Sequence, residues 1–137
     1  MNELENKIVI ASKPENIVQV ESFVDTLCAK YRIDDSIYGN MLISITEAVN
    51  NAIIHGNEKD ANKKVIISHK IELGNPKTLS VKIDDEGKGF DYLNLPDPTA
   101  PENLEMIGGR GVFLIKQLAD FVIFSDKGES IELQFKI

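Results

Sequence analysis

Glu47 and Asn51 stand four residues apart in the otherwise apolar run EAVNNAIIHGN. On a helix this spacing is one turn plus about 40° of rotation. The two side chains therefore project from nearly the same face and can act on one ligand. Mg²⁺ prefers oxygen ligands, keeps several waters and takes the rest from substrate phosphates. An asparagine carbonyl can be its single protein ligand. A carboxylate one turn away could hold a metal-bound water or take a proton from an attacking hydroxyl. The plain alternative is a solvated polar helix face, but both residues sit beside the apolar stripe.

Two glycine-rich turns follow. Asp85-Glu86-Gly87-Lys88-Gly89 comes directly after a strand pattern. The aspartate could accept a hydrogen bond from the exocyclic amine of adenine, and the glycines would let the backbone pass close to base and ribose. Alone, this is also a common turn. Gly108-Gly109-Arg110-Gly111 opens a third helix. Backbone amides at a helix N-terminus bind phosphate, and Arg110 could add a cationic contact; a simple hinge before a helix is the other reading. The chain has neither the dinucleotide-binding G-x-G-x-x-G after a strand nor a P-loop. His55, at a helix end, reads as a packing or capping residue and His69 as structural. An acid, an amide and two flexible turns suggest a site for a nucleotide and a metal.

The elements that must hold these residues are readable from periodicity. Residues 7 to 11 (KIVIA) read as a strand. Ser12, Pro14 and Glu15 then form a helix start, with Ser12 as cap and Glu15 completing a capping box. An apolar stripe at helical spacing runs to about residue 31. Asp34, Asp35 and Ser36 offer the next caps, and a second helix is expected from about 36 to 55. Lys64 to Leu73 and Thr78 to Asp84 read as a hairpin turning at Gly74-Asn75-Pro76-Lys77. Residues 90 to 108 lack periodicity and read as a lid, since a loop this long in a compact domain is usually functional or disordered. A third helix over about 110 to 119 and strands over 121 to 125 and 130 to 136 complete the chain. Strands clustered with helices favour an α+β fold: a two-layer sandwich with a mostly antiparallel mixed sheet and three helices on one face.

Composition narrows the function classes. The 137 residues suit one domain without repeats, residues 1 to 137. The formal net charge of −7 argues against nucleic acid as a main partner, because phosphate binding needs clustered cations. No apolar run approaches the roughly 18 residues of a membrane span, and no signal-peptide pattern opens the chain. Cys28 is the one cysteine, which excludes an internal disulfide. A soluble cytoplasmic protein is the expectation.

In combination and order, these motifs resemble those of the Bergerat-fold ATPases, the superfamily of gyrase, heat-shock chaperones, histidine kinases and mismatch-repair ATPases. E-x-x-x-N is similar to its N-box, D-x-G-x-G to its G1 box and the G-x-G at a helix start to its G2 box. EAVNNAIIHGN and GGRGVFLIKQLAD resemble most the small stand-alone branch, the bacterial anti-sigma factors with serine/threonine protein kinase activity. The resemblance implies ATP and Mg²⁺ as ligands. It implies Glu47 as general base or water-orienting carboxylate and Asn51 as the Mg²⁺ ligand. Asp85 would read the adenine amine, with Gly87 and Gly89 in the adenine pocket. Gly109, Arg110 and Gly111 would hold the phosphates. Relatives often carry a small or apolar residue where Arg110 stands, and Pro96, Pro98 and Pro101 would stiffen the lid.

The implied activity is phosphorylation of a STAS-domain anti-anti-sigma protein, coupled to sequestration of a sigma factor. A homodimer is also implied, with residues 7 to 31 as the candidate dimer and partner surface. A non-catalytic, ATP-gated binding module of the same fold is the rival; the intact Glu47 argues against it. A free-standing fragment of a sensor histidine kinase is the weaker third reading.

Overall fold

A computed structural model describes residues 7–87, 109–125 and 129–137. Two helices follow the first strand, β1 (Lys7–Ala11): α1 (Ile17–Lys30) and α2 (Asp35–Asn51). The hairpin β2 (Lys64–Glu72) and β3 (Thr78–Asp84) comes next, then α3 (Gly109–Leu118), β4 (Phe121–Phe124) and β5 (Ser130–Lys136). Among the described residues the strands form one sheet in the order β1-β2-β3-β5-β4, with every neighbouring pair antiparallel. The α+β expectation holds, and no parallel pair is present among these strands. The expected lid over 90 to 108, Gly89 and residues 126 to 128 lie outside the described residues.

Alternation along the strands determines which sheet face meets the helices. Val65, Ile67 and His69 of β2 are buried, while Lys64, Ile66 and Lys70 at alternate positions are exposed. Leu79, Val81 and Ile83 of β3 and Ile131, Leu133 and Phe135 of β5 continue that buried face. Against it lie Val20, Phe23, Val24 and Leu27 of α1, spaced i, i+3, i+4, i+7, and Met41, Ile45, Ala48 and Val49 of α2. His69 is structural, as expected: its Nε2 lies 3.2 Å from the Tyr31 hydroxyl, with Phe23 and Tyr31 edge-on to the ring. Cys28 is half-buried, its Sγ 3.9 Å from the Met41 sulfur, and burial pushes its thiol pKa up.

The helix starts follow the sequence in one case and depart from it in the other. Asp34 caps α2, its carboxylate accepting from the Ser36 amide at 2.8 Å. That bond holds the Asp34 carboxyl below its ordinary range. Ser12 does not cap α1. It is fully buried, and its hydroxyl donates to Lys63 O at 2.8 Å. The chain makes a short 3₁₀ turn at Pro14–Asn16, and α1 begins at Ile17. A long-range partner took the hydroxyl that a local cap would have used.

Candidate nucleotide site

The site is built where the end of α2, the start of α3 and the ends of β3 and β5 meet. Beyond Asn51 the helix widens into a π-helical turn, Ala52–Gly56, closed by the Asn57 amide donating to Ala52 O at 2.8 Å. Single π turns recur at functional sites because they re-aim a helix end. Here the turn presses Gly56 against the segment after β3. A Cβ on Gly56 would overlap the Asp85 carboxyl, and a Cβ on Gly87 would overlap the Gly56 backbone. Both glycines are therefore required by close packing of two backbone turns.

Asn57 fixes this junction. It is fully buried. Its side-chain amide donates to Ser12 Oγ at 2.7 Å and to Lys64 O at 3.0 Å, and its Oδ1 accepts from the Glu86 amide at 2.8 Å. The Glu86 carboxylate in turn accepts from the Lys64 amide. One side chain thus ties together the segments that follow β1, α2 and β3 and the first residue of β2.

Asp85 lines a small, mostly apolar cleft that opens to solvent. Ala48, Asn51 and Ala52 line one wall, and Val112 and Ile115 of α3 another. The floor is Ile83, Phe124 and Ile131, and Asp85 and Glu129 provide carboxyl groups. The Gly87 amide donates to Asp85 Oδ1 at 2.7 Å. Burial raises the pKa of the Asp85 carboxyl against that bond, with Glu129 and Asp84 adding to the rise and Lys63 opposing it. An apolar slot with a few fixed polar groups is the usual form of a small-molecule site.

The other side of the site is marked by Gly111. A Cβ there would lie 2.9 Å from Asn51 Nδ2, 3.1 Å from Glu47 Oε2 and 3.2 Å from Asn51 Oδ1. The structure thus brings Glu47 and Asn51 together, one turn apart on α2, against the first turn of α3. Gly109 is the first residue of α3 and Arg110 the second; the Arg110 side chain is outside the description. The donor set suits a hard cation shared with a phosphate ligand: one amide oxygen and one carboxylate beside a helix start. Among the described residues no group of three His, Cys, Asp or Glu could cage an ion alone. His55 is half-buried in the π turn and does not line the cleft. Burial, then Lys59, lowers its pKa.

Sequence reasoning missed Asn57, Glu129 and the apolar walls Val112, Ile115 and Phe124. Asn57 follows a histidine and a glycine and looks like any loop residue. Glu129 is placed by strand register, with no local signal in the sequence. Asp84 pairs with Ser130, so the next residues, Asp85 and Glu129, face each other, and the Asp85 amide donates to Glu129 O at 3.0 Å.

The histidine kinase-like ATPase domain family model matches residues 10–135. Curated relatives include the serine-protein kinase RsbW of Staphylococcus aureus strains RF122, MRSA252 and JH9. Each is 34% identical over 98 residues, which cover 66% of this chain and 60% of the relative. The match thus spans about 60% of the length of these relatives. No helix among the described residues is long and apolar enough to cross a membrane. With the family model matched over residues 10–135, nearly the whole chain, the chain belongs to the histidine kinase-like ATPase domain family.

Proposed function

We propose that this chain is a cytoplasmic, ATP-dependent protein serine/threonine kinase. It phosphorylates a STAS-type anti-anti-sigma protein and, acting as a homodimer, sequesters a sigma factor. The observation that carries the reading is the convergence of Glu47 and Asn51 on Gly111 at the start of α3. The serine-protein kinases named among the relatives support it.

In this reading the apolar cleft takes the adenine, and Asp85 accepts from its exocyclic amine. Gly87, without a side chain, lets the backbone approach the base. Amides of the first turn of α3, at Gly109, Arg110 and Gly111, face the phosphates, where a helix N-terminus favours negative charge. Asn51 offers its side-chain oxygen to Mg²⁺. When bound, Mg²⁺ would neutralise the charge developing on the phosphates. Glu47, one turn before Asn51, takes the proton of the incoming serine or threonine hydroxyl and orients that oxygen.

The test is transfer of γ-labelled phosphate from Mg·ATP to the host's STAS-domain proteins, with Glu47→Ala as control. Label on a STAS serine or threonine, lost in the control while ATP binding persists, is the expected result. Full transfer by Glu47→Ala would remove the base role. Bound ATP without transfer to any STAS protein would leave a nucleotide-gated binding module.

A further inference from the structure

The outward stripe of α2 leads directly to Glu47. Ser36, Gly39, Asn40 and Ile43 are exposed and precede the half-buried Glu47 at spacings that keep them on one side of the helix. Three features of this stripe are not explained by the fold. From Ser36 to Asn51, Glu47 is the only Asp, Glu, Lys or Arg, although outward helix faces usually carry charge. Ile43 leaves 45% of its surface exposed, one turn before Glu47. Gly39 stands inside the helix, where glycine costs stability relative to alanine, yet a Cβ there would meet nothing within 4 Å. Gly111 differs, since close packing against Glu47 and Asn51 accounts for it.

Two sides of Glu47 are taken. The first turn of α3 lies against it at Gly111, and the apolar cleft lies beyond it along Ala48, Asn51 and Ala52. Among the described residues, the exposed surface of α2 continuous with Glu47 is the stripe back to Ser36. An acceptor hydroxyl that gives its proton to Glu47 has to come within hydrogen-bond reach of that carboxylate. The protein carrying it then lies on Ile43 and passes over Gly39, where the missing side chain permits close backbone approach. A stripe without countercharges suits a partner segment of apolar and uncharged polar residues, because charged groups are depleted from the centres of interfaces. We infer that Gly39 and Ile43 form the docking track for the acceptor protein, which lays an apolar, uncharged segment beside its acceptor serine or threonine. This rests on the kinase reading of Glu47. Gly39 and Ile43 touch no reacting atom; they set where the acceptor sits.

The test is steady-state transfer from saturating Mg·ATP to the STAS-domain protein that the wild-type kinase labels, with acceptor concentration varied. Ile43→Ala and Gly39→Gln are compared with wild type. The control is Leu73→Ala, at an 86% exposed leucine just past β2, on the end away from the cleft. Each track variant should raise the KM for the acceptor about tenfold, the scale of one well-packed interface side chain, with kcat within about twofold of wild type. Leu73→Ala should behave as wild type. ATP affinity should be unchanged in all three, and Gly39→Gln should melt no lower than wild type because glutamine is the better helix former. A wild-type KM in either track variant overturns the assignment of that residue, and in both it overturns the track. So does a fall in kcat at unchanged KM, which would mean displacement of Glu47 instead, or an equal rise in KM in Leu73→Ala. Gly39→Gln, whose Cβ meets no neighbour, keeps the test decisive if Ile43→Ala loses stability. Wild-type protein that transfers phosphate to no STAS protein would instead overturn the kinase reading on which the track depends.

Discussion

Gly111→Ala separates packing from chemistry at this site. The added methyl would approach Asn51 Nδ2 to 2.9 Å and Glu47 Oε2 to 3.1 Å. Comfortable contacts begin near about 3.5 Å, so one or both side-chain ends must retreat by roughly half an ångström or more. These are the tips of flexible side chains, and they can move at little cost to the fold. Alanine also gains about 0.5–1 kcal/mol over glycine inside a helix. The two effects nearly cancel, so stability should stay within about 1 kcal/mol of wild type, a few degrees in Tm for a chain of this size. Activity should respond differently. A displacement approaching 1 Å at reacting groups costs about 100-fold, or about 2.7 kcal/mol of barrier. Gly87→Ala is the matched control. Its methyl would meet the Gly56 backbone, which cannot retreat without moving the π turn. That variant should lose about 1–3 kcal/mol of stability. The assays are thermal melts and phosphate transfer at saturating Mg·ATP. Gly111→Ala with a wild-type transfer rate would refute the claim that Glu47 and Asn51 act from their present positions. A Tm loss in Gly111→Ala equal to that of Gly87→Ala would show that Gly111 serves packing instead.

Asp85→Asn should abolish tight ATP binding yet make the free protein more stable at neutral pH. The folded pKa of Asp85 is raised, chiefly by burial. The folded state thus holds a proton that the unfolded chain releases near pH 3.9, and stability falls as pH rises through the window above that value. Melts from pH 4 to 8 should show that loss in the wild-type protein and less of it in the variant. Asn57→Ala removes three hydrogen bonds and leaves the Glu86 amide and Lys64 carbonyl without their partner. About 2–4 kcal/mol should be lost, read from denaturant midpoints at unchanged m value. Chelating Mg²⁺ should weaken ATP binding by the wild-type protein. Asn51→Ala should bind weakly with or without the chelator, measured by titration calorimetry.

What was legible in the sequence was whatever depends on nearest neighbours along the chain. Thr78 to Asp84 alternate cleanly and form a strand over those residues. Glu47 and Asn51 share a helix face because 3.6-residue geometry requires it. The hairpins followed from adjacency and turn chemistry. Sheet order did not, because β3 pairs with β5 across α3 and β4, and nothing local to either strand specifies that pairing. Glu129 was missed for the same reason: its place opposite Asp85 exists only through the β3–β5 register. Ser12 shows the converse error. Its local pattern fits a helix cap, yet a partner 51 residues away, Lys63, holds its hydroxyl. Short polar side chains can satisfy either kind of bond, and burial decides between them.

The two halves of the site are secured by different means, and the difference predicts where each is vulnerable. The base half rests on a closed set of hydrogen bonds: Asn57 to Ser12, Lys64 and Glu86, and Gly87 to Asp85. The set around the buried Asn57 is costly to disturb in part, because each lost member strands another. Its members should be intolerant of change and should report first in stability. The half at Glu47 and Asn51 rests on space. Glu47 and Asn51 keep their positions because Gly111 has no side chain. Groups placed by an absent methyl can be displaced with little loss of fold. Substitutions there should therefore erode transfer while leaving Tm near wild type, and a scan of both halves by melting and by transfer should divide the residues along that line.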